Sequence, residues 1–145
     1  MFHKGFTLIE LLVVIAIVGL LASVVLINTQ NVRLQAYDAQ IQTYMHQLRN
    51  AADLNYSQSG ETYSAICDES DDTLSNSGEL GTLETAVKRE NGNQDVSCFE
   101  SVDKSRFAAS SPLRAESGKS WCVESAGFSV ELNCLAINTY RCECP

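Results

Sequence analysis

Hydrophobic and polar positions divide the chain into an apolar N-terminal stretch and a polar remainder. From Leu11 to Ile27 no charged or strongly polar residue occurs except Ser23. As a helix, Phe6 to Ile27 would span roughly 33 Å, enough to cross a hydrocarbon core of about 30 Å. Lys4 precedes this stretch, so the positive-inside rule predicts a cytoplasmic N-terminus, with everything after Asn28 outside the cytoplasm.

Past the apolar stretch the pattern becomes periodic, and it predicts an amphipathic helix. Apolar side chains recur every seven residues in two registers, with two further positions widening the stripe: Leu34, Ile41 and Leu48; Tyr37, Tyr44 and Ala51; Met45 and Ala52. No proline or glycine lies between Leu20 and Ser59, which favours one continuous helix from about Phe6 to about Tyr56. The few heptads are too short a run to favour a coiled coil, so we expect the stripe to pack on the protein's own globular domain.

The region after this helix looks irregular at first. Gly60 is a natural helix stop, and residues 61–81 are expected to be loop-like. An acidic cluster lies within them: Asp68, Glu69, Asp71 and Asp72. Clustered carboxylates are calcium ligands in other proteins, but the spacing does not match a D-x-D-x-D-G loop, so a solvated acidic loop is the better interpretation.

Further elements follow from the same kind of pattern. Leu80 to Arg89 predicts a short helix ended by Asn91-Gly92-Asn93, with its apolar face formed by Leu83, Ala86 and Val87. Alternation then predicts two half-buried strands, the first around Trp121 and Val123 and the second around Phe128, Val130 and Leu132. Ser125-Ala126-Gly127 lies between them and predicts a hairpin turn.

A register for this hairpin follows from its apolar residues. Pairing Val123 with Phe128 and Trp121 with Val130 places all four large side chains on one face. In that register Cys122 points away from Cys134, and a direct bond between them is not expected, although a shift by one residue would reverse the argument.

Composition narrows the chemistry of the polar part. The chain has 145 residues, a formal net charge of -8 and six cysteines. An even cysteine number downstream of an export signal predicts disulfides in an oxidising compartment, and the candidates are Cys67, Cys98, Cys122, Cys134, Cys142 and Cys144. The sequence does not choose among the possible pairings, but three cysteines in the tail are expected to staple the C-terminal edge of the sheet. Zinc is the alternative for clustered cysteines, and the C-x-C spacing argues against it.

Several function classes are not expected. An acidic chain lacks the basic face that nucleic-acid binding needs, so no direct nucleic-acid contact is expected. The two histidines, His3 and His46, form no Ser-His-Asp or Cys-His arrangement, and no glycine-rich phosphate loop occurs. We therefore expect no enzyme, no cofactor and no metal site.

Glu10 is the unusual residue of the apolar stretch. A carboxylate there costs about 2.5–3.5 kcal/mol near the bilayer centre and less near the ends. A cleaved secretory signal or a plain one-pass anchor would leave it unexplained, although it could snorkel to the interface. If the chain were cut after Gly5, the new amino group of Phe6 would lie on the same helix face as Glu10, and the pair could set the register between neighbouring copies.

The run Lys4-Gly5-Phe6-Thr7-Leu8-Ile9-Glu10-Leu11-Leu12 resembles the cleavage and methylation motif of type IV prepilins and type II secretion pseudopilins. The resemblance covers roughly Lys4 to Ile27. It implies cleavage by a prepilin peptidase between Gly5 and Phe6, N-methylation of Phe6, and pairing of Glu10 with the Phe6 amine of an adjacent subunit. The implied partners are prepilin peptidase, neighbouring pilin or pseudopilin subunits, and membrane lipid.

The resemblance also implies an α+β, pilin-like fold, in which a long N-terminal helix packs on a small antiparallel β-sheet. The expected segments are a leader (1–5), a transmembrane and assembly helix (6–27), an amphipathic helix (28–56) and an extracytoplasmic disulfide-containing region (57–145). The protein would be a single-pass cytoplasmic-membrane protein that then enters a pilus or pseudopilus at the cell surface or in the periplasm. The alternative function is a non-assembling, membrane-anchored binding or sensor domain.

Overall fold

The computed structural model describes residues 5–68 and 70–145, with only the backbone described at 25–28. The chain divides into two compact units, Met1–Arg33 and Leu34–Pro145. In chain order the elements are α1 (Leu8–Gln58), β1 (Cys67–Asp68), β2 (Thr73–Leu74), α2 (Gly78–Asn91), β3 (Ser97–Glu100), β4 (Phe107–Pro112), β5 (Ser120–Glu124) and β6 (Ser129–Leu132). The strands form one antiparallel sheet in the order of the chain. The predicted α+β fold class, with a long N-terminal helix and an antiparallel sheet, is confirmed.

The first unit contains the N-terminal part of α1 and has no apolar core among its described side chains. Its large apolar side chains from Phe6 to Val24 are between 49% and 80% exposed. Leucine, isoleucine and valine bury readily when a partner surface exists. A helix that is apolar all round is characteristic of a segment surrounded by lipid or by other helices.

The second unit buries the amphipathic stripe that the sequence predicts. Ile41, Met45 and Leu48 on α1 are fully buried, and they contact Ala109 and Val123 of the sheet within one core cluster. The expectation that the stripe packs on the protein's own globular domain is therefore confirmed. Tyr44 and Trp121 lie partly buried at the border of the same cluster.

The sheet is covered on both faces, because a second cluster lies on the side opposite α1. Strand alternation places Ala108 and Cys122 on that side, where Leu132 and Ile137 complete the cluster. Ile137 belongs to the C-terminal segment after β6, and its backbone N–H donates to Ser110 Oγ at 3.3 Å. The second unit thus has three layers, with helices on one face of the sheet and the C-terminal segment on the other.

The predicted second helix is present and extends two residues beyond each predicted end. Leu80, Leu83 and Val87 face the core cluster, whereas Ala86 is only half-buried. Gly92 ends the helix in the left-handed conformation with φ 85°, which glycine adopts without steric cost.

Two parts of the sheet were not predicted. The expectation that residues 61–81 are loop-like is wrong in part, because β1 and β2 pair there as a short hairpin and α2 already begins at Gly78. Their two-residue length gives no alternation to detect. The central strands β3 and β4 were also missed. Strand β4 reads FAASSP, and after Phe107 it contains none of the β-branched or aromatic residues that identify strands.

The predicted β5–β6 register is wrong by one residue. Val123 pairs with Ser129, Cys122 pairs with Val130, and the Glu124 N–H bonds the Phe128 carbonyl at 3.1 Å. The turn therefore has three residues and ends on a left-handed Gly127, where the prediction used four. The one-residue shift moves Phe128 and Val130 away from α1, and their side chains are 66% and 40% exposed.

All six cysteines form disulfides: Cys67–Cys98, Cys122–Cys142 and Cys134–Cys144. The first bond joins β1 to β3. The other two tie the C-terminal segment to β5 and to itself, as expected for a staple at the C-terminal edge. Cys122 and Cys134 lie on the same side of the sheet, contrary to the predicted orientation, but each bonds a tail cysteine and they do not bond one another.

Polar contacts hold the second half of α1 on the sheet. The buried Asp38 carboxylate accepts the backbone N–H groups of Arg114 and Ala115 at 2.6 and 3.0 Å. Further along the helix, the Arg49 guanidinium donates to the Gly127 carbonyl at 2.9 Å. These bonds connect the helix to the β4–β5 and β5–β6 loops.

Candidate assembly and membrane segment

α1 is the one helix in the described residues that is long and apolar enough to cross a membrane. Its most apolar window has a mean hydropathy of 2.9 and is not buried within the protein. Length and composition alone support this statement. A signal sequence near an N-terminus meets the same criterion, so the start of the helix has to be considered as well.

The polar Ser23 does not interrupt the helix. Its hydroxyl donates to the Leu20 carbonyl at 2.8 Å, so the group has an acceptor inside its own helix. In hydrocarbon, where water cannot satisfy a hydroxyl, such an internal bond removes most of the cost of the polar group. The segment from Leu11 to Ile27 is thus compatible with a lipid environment despite its serine.

The start of α1 is set by a reciprocal pair of hydrogen bonds between Thr7 and Glu10. The Glu10 carboxylate accepts the Thr7 backbone N–H at 2.9 Å and the Thr7 hydroxyl at 2.8 Å. The Glu10 N–H in turn points to the Thr7 hydroxyl oxygen at 3.4 Å. This is a capping box, which satisfies N–H groups that a helix start otherwise leaves unpaired and explains why the helix begins at Leu8.

Phe6 and Glu10 border the same shallow surface groove, together with Ile9, Val13 and Val14. Phe6 and Glu10 therefore lie on the same side of the helix, as the sequence predicts. The Phe6 side chain is 78% exposed, so the residues that the structure describes leave this groove uncovered. Gly5, the residue before it, also lies exposed, and a Cβ built on it would meet no neighbouring atom.

The acidic cluster of residues 68–72 lies in the turn between β1 and β2. Asp68 accepts hydrogen bonds from the N–H and hydroxyl of Ser70 at 2.9 and 2.6 Å, and Asp71 accepts the same pair from Thr73 at 3.2 and 2.6 Å. These bonds shape the β1–β2 turn. Glu69 lies outside the described residues. Within the described ranges no three His, Cys, Asp or Glu side chains are grouped closely enough to hold a metal ion.

Comparison with known families agrees with the geometry of the helix start. Residues 1–26 match the family model for the prokaryotic N-terminal methylation motif. The chain carries the signature of type IV pilins and pseudopilins. No curated protein and no solved structure matches the chain.

The pilin signature and the apolar helix are consistent with one another. A methylation motif that includes the start of an exposed apolar helix is the arrangement of a prepilin-type, membrane-anchored protein, and it indicates a structural role for the chain. The motif match ends at residue 26, within the first unit, and leaves the globular unit to be interpreted from its own structure.

Thr7 is the residue whose structural role the sequence reasoning missed. The signal was available, because threonine followed three residues later by glutamate is the pattern of a capping box. The interpretation of Glu10 as an isolated charge in an apolar run did not include Thr7 as its local partner. Glu10 therefore has one structural contact within its own helix, besides any contact it makes with another subunit.

Proposed function

We propose that the protein is a structural subunit of a type IV pilus or pseudopilus. The observation that carries the proposal is the methylation motif at residues 1–26, which includes the start of a helix whose large apolar side chains from Phe6 to Val24 are exposed. The protein acts by being built into a filament, and no catalytic step is assigned to it.

Processing defines the first step. A prepilin peptidase cuts between Gly5 and Phe6 and N-methylates the new amino group of Phe6. The exposure of Gly5 and Phe6 supports this, because a protease needs access to both sides of the bond. Removal of the leader (1–5) takes away Lys4 and leaves a positive amine at the start of the helix.

Assembly uses the charge pair and the apolar surface together. The Glu10 carboxylate attracts the Phe6 amine of a neighbouring subunit, which fixes the axial position of one helix against the next. In a low-dielectric environment such a pair has a strong register preference, because a misplaced helix leaves both charges unpaired. The apolar helix (6–27) leaves lipid and packs against the helices of its neighbours.

Topology follows from the same helix. The N-terminus lies in the cytoplasm, and the amphipathic helix (28–56) and the disulfide-containing region (57–145) lie on the extracytoplasmic side. Three disulfides in 145 residues support an oxidising location, since cytosolic thiols are kept reduced. The finished filament extends into the periplasm or from the cell surface.

Substitution of Glu10 tests assembly. We expect Glu10→Ala to insert in the membrane and to be processed, but to form no filaments. Glu10→Gln keeps an acceptor for the Thr7 N–H and removes the charge, so it separates capping from pairing and should also abolish filaments. Glu61→Gln removes an exposed carboxylate outside the apolar helix and serves as the matched control, with normal filaments expected. The measurement is electron microscopy of sheared cell-surface material with immunoblots of membrane fractions.

Normal filaments from both Glu10 variants would overturn the assembly role and favour a membrane-anchored binding or sensor domain. Mass spectrometry of the mature protein tests processing separately. An N-terminus at N-methyl-Phe6 supports the proposal, and an N-terminus at Met1 contradicts it.

A further inference from the structure

Strand β6 forms one edge of the sheet, where only β5 pairs with it. At the start of this pairing the Glu124 N–H donates to the Phe128 carbonyl at 3.1 Å, and the ladder continues in the same register. Hydrogen-bonded pairs alternate along an antiparallel ladder, so Val130 is the next residue of β6 that bonds β5. The N–H and carbonyl groups of Ser129 and Glu131, on either side of it, therefore point away from the sheet.

These four backbone groups make an open sheet edge. Within the described residues none of them takes part in a hydrogen bond. Proline or charged side chains usually protect such an edge, because an unpaired strand is a template for another strand. β6 has no proline and one charged residue, Glu131, which Lys119 binds at 2.8 Å. This solvent-accessible ion pair adds little stability, and Lys119 also binds Glu116, so Glu131 can exchange its partner.

On the α1 side of the edge lies an arginine whose charge is not balanced by a carboxylate. Arg49 donates through Nη1 to the Gly127 carbonyl at 2.9 Å and to Ser129 Oγ at 3.3 Å. In the part of the chain that the structure describes, no carboxylate contacts its guanidinium, although the formal net charge is -8. An arginine has five N–H donors, so this one can bind a carboxylate that arrives opposite Ser129.

The side of the edge turned away from α1 is apolar. Phe128 and Val130 are 66% and 40% exposed there, and both line an open groove of about 430 Å³. Successive side chains of a strand point to opposite faces, so an added strand with an acidic residue over Arg49 has its neighbouring residues over Phe128 and Val130. Apolar side chains at those neighbouring positions would cover the exposed surface.

A second copy of β6 carries this alternation. When two copies of the strand pair antiparallel about a two-fold axis at Val130, Ser129 of each copy lies opposite Glu131 of the other. These pairs use the outward N–H and carbonyl groups of both strands. Each Glu131 carboxylate then lies beside Arg49 of the other copy, and the two Val130 side chains contact one another on the opposite face. The strand is thus self-complementary in backbone, charge and apolar surface.

We propose that β6 pairs edge to edge with β6 of a second copy of this chain, which joins the two sheets into one. The two-fold axis is perpendicular to the sheet, so the parts of α1 that pack on the two sheets run in opposite directions. Successive subunits of one filament share a direction. The contact therefore differs from filament assembly, and it goes beyond the proposed function.

A cysteine at the two-fold axis tests the geometry. The experiment uses the full chain in the Glu10→Ala background, solubilised in mild detergent, so that helix-driven assembly is absent. The two Val130 side chains lie about 5 Å apart in the pair, so Val130→Cys should give a disulfide-linked two-copy band on a non-reducing gel after mild oxidation. The matched control is Glu131→Cys on the same strand. Its two copies lie about 9 Å apart across the axis, too far for a disulfide, and neither this control nor the parent should give the band.

Charge reversal tests the contact between Arg49 and Glu131, with light scattering as the measure of protein mass per particle. We expect two copies for the parent and one copy for Arg49→Glu and for Glu131→Arg alone, since each variant places like charges opposite one another. In an equimolar mixture of the two variants, both contacts between unlike copies have opposite charges, so the two-copy mass should return. Arg33→Glu makes the same charge change elsewhere on α1 and should leave the parent mass unchanged.

Three results would each overturn the proposal: a parent with the mass of one copy, a variant mixture that stays at one copy, or a Val130→Cys band no stronger than that of Glu131→Cys. A variant that fails to fold cannot restore the mass in the mixture, so recovery there excludes misfolding as the cause of the single-copy mass. Filament formation by Arg49→Glu with a native Glu10 is scored separately, so failure of this contact is distinguishable from failure of the filament function.

Discussion

The two halves of α1 share one backbone conformation and differ in what surrounds their side chains. Ile15 in the first unit is 62% exposed, whereas Ile41 in the second is fully buried. The second half obtains its stability from a core that the chain itself provides, with a polar and charged face left to water. The first half has apolar residues all round, and its large apolar side chains from Phe6 to Val24 are exposed; in the proposed function, lipid or other subunits cover them. One helix thus serves two environments, and its residue pattern changes where the environment changes.

The largest expected effect comes from the same substitution made in each half. Ile41→Ala should lower the free energy of unfolding of the second unit by about 3–4 kcal/mol, because it removes a fully buried side chain and leaves a cavity. Ile15→Ala should change it by about zero. Denaturant unfolding in detergent, followed by the fluorescence of the single tryptophan, Trp121, measures both. Equal losses of stability in the two variants would contradict the difference between the two halves of α1.

The disulfides belong only to the second half, and their removal is expected to have the next largest effect. Replacing Cys122 and Cys142 by alanine should cost about 3 kcal/mol, since the bond closes a loop with a sequence separation of 20. The matched pair Cys134 and Cys144 has a separation of 10 and should cost about 0.6 kcal/mol less on chain-entropy grounds. The same unfolding experiment tests the order. A larger loss from the shorter loop would show that native packing of the tail, rather than chain entropy, dominates.

A smaller effect is expected where α1 meets the β4–β5 loop through a charge. Asp38→Asn keeps the size of the side chain but weakens acceptance of the Arg114 and Ala115 N–H groups, and should cost about 1–2 kcal/mol. Gln40→Ala, at an exposed position of the same helix, should change the stability by less than about 0.5 kcal/mol. An Asp38 variant as stable as the control would mean that these bonds do not help to hold the helix.

The smallest effect concerns Tyr63, which packs near the end of α1 and donates its hydroxyl to Asp53 at 2.9 Å. Burial, followed by the bond to Asp53, raises its pKa to about 12. The folded state binds this proton more tightly than the unfolded chain does, so stability is full below about pH 10 and falls as pH rises towards 12. Tyr63→Phe should remove this decline and one late step from the tyrosinate absorbance titration. A wild-type titration without any step near pH 12 would contradict the burial of the hydroxyl.

The same contrast explains which parts of the fold the sequence could predict. The apolar stretch and the stripe at Ile41, Met45 and Leu48 are long periodic signals, and both were predicted. Strand β4 was not, because both of its faces are buried and carry small side chains such as Ala108 and Ala109 rather than alternating large ones. The register of β5 and β6 depended on one turn residue at Gly127, which apolar alternation does not specify.

The candidate sites divide in a similar way. The motif from Lys4 to Leu12 is local in sequence, so Phe6 and Glu10 could be proposed without coordinates, and the Thr7 cap could have been found from the same pattern. The surface groove lined by Arg106, Phe128 and Cys142 could not be predicted from the sequence. Its walls come from a loop, a hairpin and a disulfide-tied tail, and it exists because Cys142 is fixed to β5. Distant residues meet there through pairings that the cysteine spacing left open.

The Cys122–Cys142 bond also imposes an order in time. A strand inside the sheet is tied to a residue 20 positions later in the chain, so in the proposed topology the bond closes only after that later stretch has crossed the membrane. Until then the face of the sheet carrying Ala108 and Cys122 has no cover from Ile137. In that topology the apolar helix is anchored first, and the globular unit becomes complete only when its final cysteines are oxidised outside the cytoplasm.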